Sequence, residues 1–184
     1  MKTLFIEGSS DTDNGNLREA FSKLLSKELK GKMPKIIMGG GKNQTVDKFH
    51  STFRKQNDEF ILLFDSDMPS PDKQAICNDF NSKKPNRKND CTPDNTFLMI
   101  QEVEAWILSQ PDKLTAAGID MSKFNCANVE SIHKPCEKLA ELYKKSGKTY
   151  TKVNEFAKIF PKLDTAKLKE TSSEFKALID ALNA

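Results

Sequence analysis

The chain has 184 residues, 30% of them charged, yet its formal net charge is only +3. That length suits one domain with a substantial core, with or without an addition, and argues against two large domains. So small a net charge excludes a polycation that coats nucleic acid over its whole surface and leaves any such binding to local patches. No apolar segment approaches the roughly 20 residues that span a bilayer, which excludes membrane insertion. The four cysteines, Cys77, Cys91, Cys126 and Cys136, form no Cys-x-x-Cys pair, and the chain starts on a strand pattern with no signal-peptide character, so a reduced, cytoplasmic protein is expected. Cys126, His133 and Cys136 match no common zinc spacing and read as buried or incidental thiols.

Taken in order, Thr3–Ile6 is a short apolar strand that ends on Glu7 and Gly8. A polar loop, Gly8 to Gly15, follows and is placed to reach over a site at the strand end. Leu17, Phe21, Leu24, Leu25 and Leu29 recur at helical spacing from about Asn16 to Lys30, where Gly31 and Pro34 stop the pattern. A second strand, Lys35 to Met38, runs into Gly39-Gly40-Gly41-Lys42. A Walker loop would need glycine at position 36, which is isoleucine, so two readings stand: a plain turn, or a loop whose Gly40, Gly41 and Lys42 face a phosphate. Val46, Phe49 and Phe53 mark a helix ending near Asn57.

Phe60-Ile61-Leu62-Leu63-Phe64 is the most strongly apolar run, the pattern of a strand buried on both faces, and it stops on Asp65-Ser66-Asp67. A helix is expected from about Asp72 to Phe80. The loop from Asn81 to Asp94 carries Lys83, Lys84, Arg87 and Lys88, which read as solvated surface or as a nucleic-acid contact. Asn95 to Ile100 is a fourth strand. Gln101-Glu102-Val103-Glu104-Ala105-Trp106 starts a helix directly from it, closed by Pro111, and two residues apart on a helix Glu102 and Glu104 are expected to face different ways. Beyond Pro111 the strand signals cease. Helices are expected at Leu114–Ala117, Pro135–Lys145 and about Val153 to Phe160, with a last one capped by Ser172 or Ser173, and Lys148 and Lys152 flank a break at Thr149-Tyr150-Thr151.

Alternation of strand and helix predicts right-handed crossovers and an α/β fold, a mostly parallel four-stranded sheet with helices on both faces (residues 1–110) carrying a C-terminal helical appendage (111–184). In a flavodoxin-like order the first strand lies beside the third, and ligands bind where their carboxyl ends part. Glu7, Asp65 and Asp67 are expected to meet there. Three carboxylates packed together without a cation repel one another, so the pattern points to Mg²⁺ or Mn²⁺, with a phosphate oxygen as the natural further ligand.

Ile6-Glu7-Gly8 and Phe64-Asp65-Ser66-Asp67 resemble the glutamate and Asp-x-Asp motifs of Toprim domains, the metal-dependent module of topoisomerases, primases and overcoming-lysogenization-defect nucleases. The Gln101–Trp106 run, with Lys148-Thr149-Tyr150-Thr151-Lys152 and Ser172-Ser173-Glu174-Phe175, resembles the Toprim-like family known as domain of unknown function 4276 over nearly the whole chain. The resemblance implies a Toprim/Rossmann-like nuclease of a bacterial anti-phage system acting on DNA or RNA, in some members with an ATPase partner. It implies Glu7, Asp65 and Asp67 as metal ligands and catalytic acids, Glu102 or Glu104 as candidates for a second ion, and Lys148 or Lys152 as the residue steadying a phosphate. Two other readings are open: a phosphatase like the haloacid dehalogenases with Asp65 as nucleophile, and a non-catalytic module that binds protein or RNA.

Overall fold

The computed structural model describes residues 1–8, 15–152 and 154–184. Four strands, β1 (Lys2–Ile6), β2 (Lys35–Met38), β3 (Glu59–Asp65) and β4 (Thr96–Met99), form one sheet in the order β2-β1-β3-β4, every neighbouring pair parallel. The chain therefore belongs to the α/β class, and its crossovers are the helices α1 (Gly15–Leu25), α2 (Lys42–Ser51) and α3 (Lys73–Ser82).

Period-two alternation along the strands divides the core. Leu4, Ile6, Ile61, Leu63, Phe97 and Met99 face one way, with α1 and the helices after β4. Phe5, Phe60, Leu62, Phe64 and Leu98 face the other, against Val46 and Phe49 of α2 and Cys77 of α3. Both faces are covered, as a parallel sheet requires.

After β4 come α4 (Glu104–Leu108), α5 (Pro111–Ala116), α6 (Pro135–Lys145), α7 (Glu155–Ile159) with a 3-10 turn at Phe160–Lys162, α8 (Thr165–Thr171) and α9 (Ser173–Asn183). They share one continuous core with α1. Trp106 stacks on Phe160 and meets Phe175 edge-on, and Phe21 of α1 meets Phe160 with ring centroids 4.8 Å apart. α9 also guards the edge strand β4: Glu174 accepts the Leu98 N–H at 3.0 Å and pairs with Lys73 at 2.7 Å, occupying a donor that an open edge would present to another chain.

Three expected helices differ from the structure, and one helix is unexpected; α1, drawn to about Lys30, ends at Leu25. The helix drawn through Phe53 ends at Ser51, because Thr52 is extended, and Phe53 is 71% exposed instead of buried. The helix drawn from Gln101 begins only at Glu104, since Gln101 takes a left-handed backbone (φ 62°) and turns the chain first. The helix α8 carried no apolar stripe in the sequence, but Asp164 caps it by accepting from Ala166 and Lys167. The loop expected to reach over the site, 9–14, and the start of a helix at residue 153 lie outside the described residues.

Candidate functional site

β1 and β3 are adjacent, but β1 feeds a crossover toward β2 and β3 one toward β4, so the connections leaving their carboxyl ends part and open a crevice. A cavity of about 410 Å³ opens there, with Glu7, Asp65 and Lys152 as its charged groups and Leu17, Phe21 and Phe156 as an apolar wall. Asp65 is the last residue of β3, on the same face as Ile61 and Leu63, which turns its side chain toward α1 and α7.

Both acids are fixed by backbone donors. Glu7 Oε2 accepts from Asp65 N at 3.0 Å, while the Glu7 N–H continues the ladder to Leu63 O at 2.9 Å. Asp65 Oδ1 accepts from Val103 N at 2.9 Å. Burial, followed by repulsion from Glu7 and Glu104, pushes the Asp65 carboxyl well above the usual carboxylate range. Glu7 is also raised, by burial first, with Asp67 repelling it and Lys42 and Lys152 acting the other way.

Asp67 takes a different place. It is exposed, its backbone is left-handed (φ 58°), its N–H donates to Gln101 O at 2.9 Å, and its carboxylate pairs with Lys42 on the rim. The expected three-way meeting of Glu7, Asp65 and Asp67 is thus a half-buried pair with Asp67 beside it.

The glycine loop has its own architecture. Gly8 and Gly40 exchange two hydrogen bonds, N to O at 2.7 and 2.8 Å, tying the end of β1 to the end of β2. Gly39 N donates to Ile6 O and Gly41 N to Gln44 Oε1. Gly40 and Gly41 therefore line the cavity while their N–H groups serve the fold.

Behind Lys152 lies a second cluster. Glu104 is fully buried; its Oε1 accepts from Tyr150 Oη at 3.2 Å and from Lys152 Nζ at 3.1 Å, and among the described residues its Oε2 makes no hydrogen bond of good geometry. Burial opposes the charge on Lys152, but Glu104 and Asp65 outweigh it and hold the ammonium above its ordinary pKa. Glu102 Oε2 accepts from Cys136 N at 2.7 Å, and ligand atoms of Glu102, Glu104 and Cys136 all lie within 4.8 Å of one another. Because Glu102 sits in the turn before α4, it shares a direction with Glu104, contrary to the expectation for two residues of one helix. Burial and the neighbouring Glu104 push the Cys136 thiol up to about 12.

The remaining sequence candidates are elsewhere. Lys148 donates to Ala117 O. Lys83 and Lys84 pair with Asp79 and Asp47, each at 2.5 Å, Arg87 pairs with Asp90, and the Lys88 ammonium lies 5.9 Å from the centre of the Phe53 ring. None of these four borders the cavity between β1 and β3. Tyr150 is a site-forming residue without a role in the sequence reading, and Cys136, read there with Cys126 and His133 as an incidental thiol, instead lies against Glu102 and Glu104. Only the spacing Tyr150-x-Lys152 beside a break hinted at the first.

The family model described as "Domain of unknown function (DUF4276)" matches residues 6–183. Neither a curated protein nor a solved structure matches the chain.

Proposed function

This chain belongs to the DUF4276 family, and on that footing we propose that it is a Mg²⁺- or Mn²⁺-dependent phosphodiesterase that cleaves nucleic acid in the cytoplasm. The observation that carries the reading is the Glu7–Asp65 pair. Among the described residues each acid spends one oxygen on a backbone N–H, and the second oxygen of each has no hydrogen bond. Two desolvated carboxylates that repel each other, with hard oxygens left over beside a cavity, fit a small divalent cation. The donor set passes that test without Asp67.

Glu7 and Asp65 would hold the cation, which when bound supplies a Lewis acid for a phosphate oxygen and lowers the pKa of a water. Lys152, kept charged and aimed by Glu104 and Tyr150, neutralises a non-bridging phosphate oxygen. Leu17, Phe21 and Phe156 keep water from one side of the cavity, which strengthens these interactions. Lys42, with Asp67, offers a second cation on the rim for the flanking backbone phosphate. Nucleic acid as substrate is what the Toprim-like Glu7 and Asp65-Ser66-Asp67 motifs imply, and a role in anti-phage defence with an ATPase partner is what the resemblance to the DUF4276 family implies.

The test is calorimetric titration of Mn²⁺ into the wild type and Asp65→Asn, followed by cleavage assays on single- and double-stranded DNA and RNA. Binding and Mn²⁺-dependent cleavage are both expected to vanish in a variant that keeps its circular dichroism. Unchanged Mn²⁺ affinity in Asp65→Asn overturns the assignment.

A further inference from the structure

We propose that Glu102, Glu104 and Cys136 form a separate site for one zinc-class divalent cation, bound through two carboxylates and a thiolate. The proposal stands apart from the Glu7–Asp65 reading. Its first support is convergence: the three ligand atoms already lie within 4.8 Å of one another. In a tetrahedral zinc site with bonds of about 2.0–2.3 Å, ligand atoms sit roughly 3.3–3.8 Å apart, so about an ångström of side-chain closure completes the set.

The second support is Glu104 itself. It is fully buried, and among the described residues its Oε2 makes no hydrogen bond of good geometry and faces the weak donor of the Cys136 thiol, a costly condition for a carboxylate. Its Oε1 is engaged by Tyr150 and Lys152, the kind of outer contact that orients a metal-binding carboxylate and leaves its other oxygen for the ion. Glu102 is likewise held by the Cys136 N–H at 2.7 Å, which brings a carboxylate against the residue that supplies the sulfur.

Charge closes the argument. Two carboxylates and one thiolate carry three negative charges, Lys152 one positive, and a divalent cation makes the cluster neutral. A thiol among the ligands selects zinc-class ions over Mg²⁺, whose ligands are oxygens. The thiol proton passes to solvent as the sulfur–metal bond forms. Three protein ligands leave a fourth position for water, and the ion ties the turn before α4 to the first turn of α6.

The experiment is titration of Co²⁺ into the full chain, read by absorption. A thiolate-to-cobalt charge-transfer band in the near ultraviolet is expected to saturate at one equivalent and to be bleached by one equivalent of Zn²⁺ but not by excess Mg²⁺. Cys136→Ser should remove it, Cys126→Ser and Asp65→Asn should leave it, and Glu102→Gln should weaken Co²⁺ affinity about tenfold or more. Glu102→Gln retains the thiol and carries the test if Cys136→Ser fails to fold. No band in the wild type, a band that persists in Cys136→Ser, or one displaced by Mg²⁺ overturns the proposal. Loss of the band's basis with Mn²⁺ binding at Asp65 intact refutes this site alone, and the reverse result refutes the phosphodiesterase reading alone.

Discussion

The Glu7 carboxylate accepts the backbone N–H of Asp65 at 3.0 Å, so the acid that follows β1 is tied to the strand end that carries the acid of β3. Two charges are thereby held in a partly desolvated crevice, and the apo protein should show it in its pH dependence. Both carboxyls have folded pKa values above their unfolded ones, Asp65 by the wider margin. The neutral forms are favoured by folding, so the stability these groups contribute is complete below about pH 4, the unfolded carboxylate range, and is lost as pH rises through the elevated folded values. In EDTA the wild type should lose stability as pH rises above about 4 through the elevated folded values, and Asp65→Asn, whose amide oxygen still accepts from Val103, should lose less. At pH 7 the variant should be more stable by about 1–3 kcal/mol, the scale of an uncompensated desolvated charge. Mn²⁺ should stabilise only the wild type. Thermal melts across this range check it, and a less stable variant in EDTA at pH 7 would refute the account.

Those two acids were legible in the sequence because their signal is local: an apolar strand, then a carboxylate, with the crossover rule placing β1 beside β3. The bounds of β2 and α6 were legible for the same reason, since Pro34 and Pro135 punctuate them. The second cluster was not. Glu104, Tyr150, Lys152 and Cys136 come from α4, α6 and the segment after it, and their meeting depends on how the helices beyond β4 pack on α1, which no periodicity encodes. Asp67 sits beside the pair for a narrower reason. Strand alternation holds only to Asp65, and the left-handed turn at Asp67 sends its carboxylate to Lys42.

Gly39→Ala tests the close approach of α2 to the end of β2. A Cβ at position 39 would lie 2.4 Å from the Cα of Thr45, a backbone atom that cannot yield without shifting the helix. Overpacking of this kind costs about 1–3 kcal/mol or more. Gly41→Ala meets nothing within 4 Å and should be tolerated. Urea denaturation of the two variants should separate them, and equal stability would mean that α2 is not held where the Gly8–Gly40 bridge places it.

Lys152→Met removes the cation from a fully buried carboxylate. Because the Lys152 side chain is 53% exposed, solvent screens part of the pair, and the expected loss is about 1–2 kcal/mol, less than for a wholly buried bridge. Adding Glu104→Gln should recover most of it, since the remaining charge is then gone as well. On activity the expectation differs: kcat should fall about 100-fold in Lys152→Met while Mn²⁺ affinity is unchanged or higher, because a positive charge has left the neighbourhood of Asp65. A drop in Mn²⁺ affinity with normal kcat would reassign Lys152 to holding the acids in place.

Trp106, the sole tryptophan, reports whether the helices after β4 fold with the sheet. It is 2% exposed, its ring stacks on Phe160 at 6.1 Å and meets Phe175 at 5.1 Å, and among the described residues its Nε1 has no partner. Trp106→Ala should therefore cost about 3–5 kcal/mol, the range for emptying a large aromatic site. Trp106→Phe should cost much less, because losing an unsatisfied buried N–H offsets part of the lost contact. Since the same apolar cluster joins α1 and the β-strands to α9, indole fluorescence and far-ultraviolet circular dichroism should trace one coincident urea transition. A fluorescence transition at lower urea would show residues 111–184 unfolding as a unit of their own, and the Lys152 side chain would then leave the crevice before the Glu7–Asp65 pair comes apart.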